Sequence, residues 1–225
     1  MNDASLRKEH LEARRQVTRS AAPKAWQGAI VGDNYESGAV GWRFFLWWVL
    51  TFLGFPLGGL LAFVTVGSVD GAASGALAGA LAGAVIGGSQ WLVLRRYLSM
   101  GVAWVLATAS GVAIGDTVGA LLTGAGTGIG DLLINGLVTG AAVGFLQWVL
   151  LRGRIRAANL WVPVVAATWP IGWTVTWAVG VDVERGYAVF GSTGALAFVA
   201  ITGVAMLMLR RPPKVRDLPE EGQRT

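Results

Sequence analysis

Trp47, Trp104 and Trp161 stand 57 positions apart (104 − 47 and 161 − 104), and Gly58, Gly115 and Gly172 keep the same step. A fixed period of this length dictates architecture, because each copy is one supersecondary unit whose sticky face its neighbours must cover. Each copy reads as an outgoing apolar stretch, a short turn and a returning stretch. The outgoing stretches align as Trp47, Gly54, Pro56 and Gly58; Trp104, Gly111, Ala113 and Gly115; and Trp161, Thr168, Pro170 and Gly172. The returning stretches align Gly79, Gly83, Gly87, Gln90, Trp91 and Arg95 with Gly136, Gly140, Gly144, Gln147, Trp148 and Arg152, while Val204 and Ala205 take the places of Gln and Trp in the third copy.

Six stretches are long and apolar enough for a hydrocarbon layer that needs roughly 20 residues per crossing: about 44–66, 72–94, 102–123, 131–151, 159–180 and 187–209. With 54% hydrophobic and only 14% charged residues in 225, little is left for a soluble domain. The expected fold is an all-α membrane protein of six transmembrane helices, built from three tandem two-helix repeats of about 57 residues (47–103, 104–160 and 161–217). An even number of spans per copy gives all copies one orientation, which predicts a pseudo-threefold axis along the membrane normal rather than an inverted repeat. Residues 1–40 read as a polar, basic cytoplasmic arm, 41–211 as the membrane domain and 212–225 as a cytoplasmic tail. The arm is too long and polar to be the charged start of a cleavable signal, so the first span reads as a retained signal anchor.

Lys and Arg near span ends are held on the cytoplasmic side during insertion. With both termini inside, 17 of the 18 basic residues fall in the cytoplasm and only Arg185 lies outside. A five- or seven-span topology would split the clusters at Arg95 and Arg96, at Arg152, Arg154 and Arg156, and at Arg210, Arg211, Lys214 and Arg216 between the two faces. The expected location is therefore the bacterial inner membrane, with both termini cytoplasmic. The net charge of +5 then reflects attraction of the inner rim to anionic lipid heads. Nucleic-acid binding would need a basic face on a soluble domain, and it is excluded as a partner class.

Gly71, Gly75, Gly79, Gly83 and Gly87 recur every four residues, as do Gly111, Gly115 and Gly119, and Gly136, Gly140 and Gly144. In lipid, where apolar side chains gain little by leaving hydrocarbon, such small-xxx-small faces let helices approach closely and supply their contact. Pro56 and Pro170 fall at equivalent places and are expected to bend their helices, since each lacks a donor and crowds the preceding turn.

The chemistry for catalysis is sparse. There is no cysteine, the single histidine is His10 in the arm, and Lys8, Lys24 and Lys214 all lie outside the spans. Thiolate and histidine metal sites, histidine-ligated haem and an intramembrane Schiff base are thus excluded, and no carboxylate pair converges with a nucleophile. No enzyme activity, catalytic residue, metal or cofactor is expected. Asp116, the one acid well inside a span, marks a candidate site because ionisable groups at depth are costly, unless Thr117 and Ser110 on neighbouring turns bond it or it reaches the outer interface. Asp131 and Asn135, one turn apart at the outer start of the fourth span, could share a polar pocket with Asp116. Gln90 and Gln147 are repeat-equivalent amides at one depth, suited to an interhelical hydrogen bond or a ligand contact. Trp42, Trp47, Trp48, Trp91, Trp104, Trp148 and Trp161 are expected in an interfacial belt. Trp169, Trp173 and Trp177, four apart, could line a groove for a pigment or lipid tail, or pack into the core.

The Gly/Ala-rich hairpins closing on QWLVLR (Gln90 to Arg95) and QWVLLR (Gln147 to Arg152), each followed by a Trp-led span, resemble a loose group of uncharacterised bacterial multi-pass membrane proteins, over roughly residues 70–175. The resemblance implies no activity and no site residues. The main expectation is a non-enzymatic bundle acting by interaction, as an accessory subunit with a protein partner in the membrane or as a binder of lipid or pigment. The alternative is a small channel or transporter for a cation or small solute, with Asp116, Asn135 and Gln90 or Gln147 facing one path.

Overall fold

A computed structural model describes residues 40–209. The expected N-terminal arm and C-terminal tail lie outside the described residues. By its contacts the chain divides into Met1–Arg43 and Phe44–Thr225, and the following concerns the second unit.

Six long helices follow in order: α1 (Val40–Val66), α2 (Ala72–Tyr97), α3 (Ala103–Thr123), α4 (Ile129–Leu151), α5 (Trp161–Ala178) and α6 (Ser192–Leu209). Their number and order match the six apolar stretches. Five are long and apolar enough to cross a membrane. The exception is α5, whose 18 residues include Trp161, Trp169, Trp173, Trp177, Thr168, Thr174, Thr176, Pro163 and Pro170, which dilute its aliphatic content. The sixth stretch begins later than 187: residues 187–191 run ahead of the helix, and Phe190 drops into the core from them.

Glycines line every seam between neighbouring helices. A Cβ on Gly58 would sit 2.8 Å from the Ala82 carbonyl oxygen, joining α1 to α2; one on Gly83 would sit 2.8 Å from Ala109 Cα, joining α2 to α3. Gly111 meets Val143 and Gly115 meets Thr139 across the α3–α4 seam; Gly136, Gly140 and Gly144 meet Pro170, Val165 and Val162 across α4–α5. Gly75, Gly79 and Gly87 likewise lie against α3. Gly194 lies against the Gly172 carbonyl, joining α5 to α6, and Gly203 lies against Trp48, closing α6 on α1. The helices thus pack in sequence order as a closed ring.

Two hydrogen bonds fix the ends of this ring. At one end the Val69 N–H donates to the Gly186 carbonyl at 2.8 Å; at the other the Arg156 N–H donates to Leu209 at 2.9 Å. Pro56 follows a tight 3₁₀ turn at Thr51–Leu53 within α1. Proline brings no donor for the carbonyl one turn back, and here the slack is taken up by a tightened turn.

Many large apolar side chains are exposed along the helices, while several polar ones lie in the interior beside the apolar core. Leu57, Leu60, Val64, Leu106, Leu121 and Met208 are exposed, whereas Thr51, Gln90, Thr108, Asp116, Thr139 and Gln147 are buried. A water-soluble fold reverses this bias. Outward apolar surface and span-length helices are those of an integral membrane protein, with the few polar groups kept where helices can satisfy them.

Candidate functional site

Two polar clusters lie inside the ring, at different heights. The first is centred on the glutamines. Trp104 Nε1 donates to Gln90 Oε1 at 3.0 Å and Trp161 Nε1 donates to Gln147 Oε1 at 2.8 Å. Gln147 Nε2 in turn donates to Thr108 Oγ1 at 3.0 Å and reaches Gln90 Oε1 at 3.5 Å. The Thr108 hydroxyl passes its own hydrogen to the Trp104 carbonyl at 2.9 Å. The expected pairing of Gln90 with Gln147 is therefore present as a long contact, but the strong bonds go to indoles. Trp48, Trp104 and Trp161 are fully buried, so an interfacial belt does not describe them. Their burial is made tolerable by acceptors: a buried indole usually finds one, and the glutamines and Thr202 provide one each, Trp48 Nε1 donating to Thr202 Oγ1 at 3.1 Å.

The second cluster is centred on Asp116, about two turns or ~12 Å along α3 from Thr108. Asp116 is 2% exposed, which removes an escape to the outer interface. Its Oδ1 accepts from Thr139 Oγ1 at 3.2 Å, and Thr139 also lies 3.0 Å from Asn135 Oδ1. The expected local partners do not serve: the Thr117 hydroxyl donates to the Ala113 carbonyl at 2.7 Å instead. Thr139 was not legible as a partner, because it comes from another helix. Three glycines make the room. A Cβ on Gly79 would lie 2.9 Å from Asp116 Oδ2, one on Gly119 would lie 2.7 Å from Asn135 Nδ2, and one on Gly115 would overlap Thr139. Asp131 stands apart, its carboxylate against Gly126 and Gly128 of the α3–α4 turn.

Asp116 and Asn135 thus come together, and so do Gln90 and Gln147, but the two pairs lie about two turns apart along their helices. Along α3 the buried Val112 stands between Thr108 and Asp116, and along α4 the buried Val143 stands between Thr139 and Gln147.

The tryptophan stripe of α5 is divided. Trp169 and Trp173 are buried against Phe190 in edge-to-face contacts at 5.4 and 5.9 Å, and Trp169 also meets Phe55 and Phe198. Trp177 is 51% exposed, so the three do not line one open groove. The cause is helical geometry: steps of four residues advance by about 40° each, and two steps turn the third ring to another face. Phe190, delivered by the α5–α6 connection, occupies the face that a flat ligand would need. Asp116 Oδ2, Trp169 Nε1 and Trp173 Nε1 are the buried side-chain polar atoms without a hydrogen-bond partner among the described residues.

At the other end of α2 and α4, Arg95 stacks over Trp91 at 5.0 Å and Arg152 over Trp148 at 5.6 Å. Both arginines are exposed. Comparison with family models, curated proteins and solved structures finds no match to this chain.

Proposed function

We propose that this chain is a non-enzymatic six-span bundle of the bacterial inner membrane that acts through its outer surface, on lipid and on a protein partner in the bilayer. The observation that carries this reading is the buried apolar layer of Val112 and Val143 between the two polar clusters. A conduit needs polar groups along one path, whereas here the Gln90–Gln147 cluster is occupied by the indoles of Trp104 and Trp161. With its inside so filled, the molecule meets other molecules through the exposed apolar faces and through Arg95 and Arg152. The group of uncharacterised multi-pass proteins that it resembles fits this role and adds no chemistry.

Six crossings are supported by the ring ends. The bonds Val69 to Gly186 and Arg156 to Leu209 tie the segment after α5 to the α1–α2 connection and the segment before it to the end of α6, as a crossing α5 requires. Three repeats are supported by the bonds Trp104 to Gln90 and Trp161 to Gln147, both 14 positions apart and 57 from one another. The third copy joins at a step of 55: the buried Thr139, Gly140, Val143, Gln147 and Leu151 of α4 correspond to the buried Gly194, Ala195, Phe198, Thr202 and Met206 of α6. Trp48 to Thr202 is then the third bond of the set. It uses Trp48 rather than Trp47 because the 3₁₀ turn at Thr51–Leu53 adds about 20° per residue to the helical rotation. Both termini in the cytoplasm follow from the distribution of Arg and Lys.

Gentle extraction from the native membrane followed by affinity copurification tests the role. A stoichiometric partner, or tightly held lipid, is expected. Solute-selective flux through liposomes holding the pure protein, abolished by Asp116→Ala, would replace this reading with a transporter.

A further inference from the structure

The cluster at Asp116 holds more acceptors than hydrogens. Asp116 offers two carboxylate oxygens and Asn135 an amide oxygen, and the hydroxyl of Thr139 lies between them, 3.2 Å from Asp116 Oδ1 and 3.0 Å from Asn135 Oδ1. A hydroxyl has one hydrogen to give, so it serves one of these oxygens at a time. Asp116 Oδ2 has no partner among the described residues, although the residue is 2% exposed. Turning the Asn135 amide over would free the Thr139 hydrogen for Asp116 Oδ1, yet Oδ2 would still have none.

An ionised carboxylate removed from water with a single hydrogen bond is costly. An ionised Asp116 calls for a positive charge beside it, and among the described residues the ion pair is Arg185 with Asp182, both exposed. The donor set consists of carboxylate, hydroxyl and amide oxygens, which suit hard cations rather than soft ones. One carboxylate balances one positive charge, and a divalent ion would leave an excess in the apolar interior. Gly79, Gly115 and Gly119 let the three side chains fit between the helices, since a Cβ on any of them would crowd one of the three.

We propose that Asp116, Thr139 and Asn135 form a binding site for one small monovalent cation, with sodium the best match in charge and hardness, held where α3 meets α2 and α4. The ion neutralises Asp116 and ties α3 to α4, the two helices of the second repeat. It is held rather than conducted, since Val112 and Val143 lie between it and the glutamine layer. The site goes beyond the surface role proposed above and stands without it, because it needs only the α2–α3–α4 contacts.

Binding of radioactive sodium to the full-length protein in detergent, at mildly alkaline pH, tests this directly. Saturable binding of one ion per chain is expected, with affinity lowered at least about tenfold in Asp116→Asn and in Thr139→Val, in the range seen when groups around a bound metal are removed. Thr139→Ser, which keeps the hydroxyl, should bind as wild type, and helical circular dichroism checks the fold of each variant. Exchange of choline for sodium at ten times the dissociation constant should raise the unfolding midpoint of wild type by about 4 °C and leave that of Asp116→Asn unmoved. Absence of saturable binding in wild type, or equal binding in a folded Asp116→Asn, overturns the site. So does an infrared carboxylic-acid band assigned to Asp116 that sodium does not alter, which would show a proton in its place.

Discussion

Trp161 donates its indole hydrogen to Gln147 across 2.8 Å, in the interior of the ring where water cannot substitute for either partner. Gln147→Leu should therefore leave a buried donor unpaired and also strip Thr108 of its amide contact. Interhelical bonds of this kind are worth about 0.6–1.7 kcal/mol in membrane bundles, and an orphaned partner costs about 1–3 kcal/mol. A loss of about 2 kcal/mol in reversible unfolding is expected. Trp161→Phe in the same chain should give back part of that loss, since removing both partners of a bond costs less than removing one. A double variant that loses the full sum of the single losses would show that the bond contributes nothing.

Glycine substitutions separate seams from free faces. A Cβ on Gly140 would stand 2.6 Å from the Val165 carbonyl oxygen and 2.9 Å from Ala166 Cα, both backbone, whereas one on Gly88 would meet nothing within 4 Å. Gly140→Ala should destabilise the bundle by about 1–3 kcal/mol, as overpacking does. Gly88→Ala should be neutral or stabilise by up to about 1 kcal/mol through helix propensity. Denaturation of the two variants in parallel measures the contrast, and equal effects would mean that the α4–α5 seam is not close.

The helices and their order were legible because length and apolarity decide them one stretch at a time. The glycine faces were legible as well, since a four-residue period survives whatever the partner helix is. What the sequence did not disclose is which neighbour completes each polar group. Thr139 lies 23 positions beyond Asp116 and has no local pattern to announce it. Phe190 looked like part of a span, yet its place against Trp169 and Trp173 depends on where α6 starts. Trp47 keeps the 57-residue step, yet Trp48 is the buried one and Trp47 is 47% exposed, because the tight turn at Thr51–Leu53 between them and Gly54 decides which one faces inward.

Lipid contact distinguishes the two kinds of tryptophan on α5. Trp177 is half-exposed on the outer surface and Trp173 is enclosed by Phe190. In vesicles of brominated phospholipid, wild-type fluorescence should be partly quenched. Trp177→Phe should reduce the quenchable fraction, and Trp173→Phe should leave the quenchable intensity unchanged while lowering the protected remainder. Loss of quenchable intensity on replacing Trp173 would mean that the α5–α6 connection does not seal that face.

The crossing of α5 can be decided by topology, since its composition alone leaves it outside the span-length apolar helices. The chain contains no cysteine, so one introduced thiol reports one position. Asp70→Cys and Asp182→Cys flank the loops that Val69 and Gly186 join, and both should react with an impermeant thiol reagent added outside intact cells. Arg154→Cys, near the opposite end where Arg156 meets Leu209, should react only after permeabilisation. Labelling of Asp70→Cys but not Asp182→Cys would mean that α5 fails to cross. The reverse pattern at all three positions would keep six crossings and invert the molecule, against the charge asymmetry that holds basic residues on the cytoplasmic side.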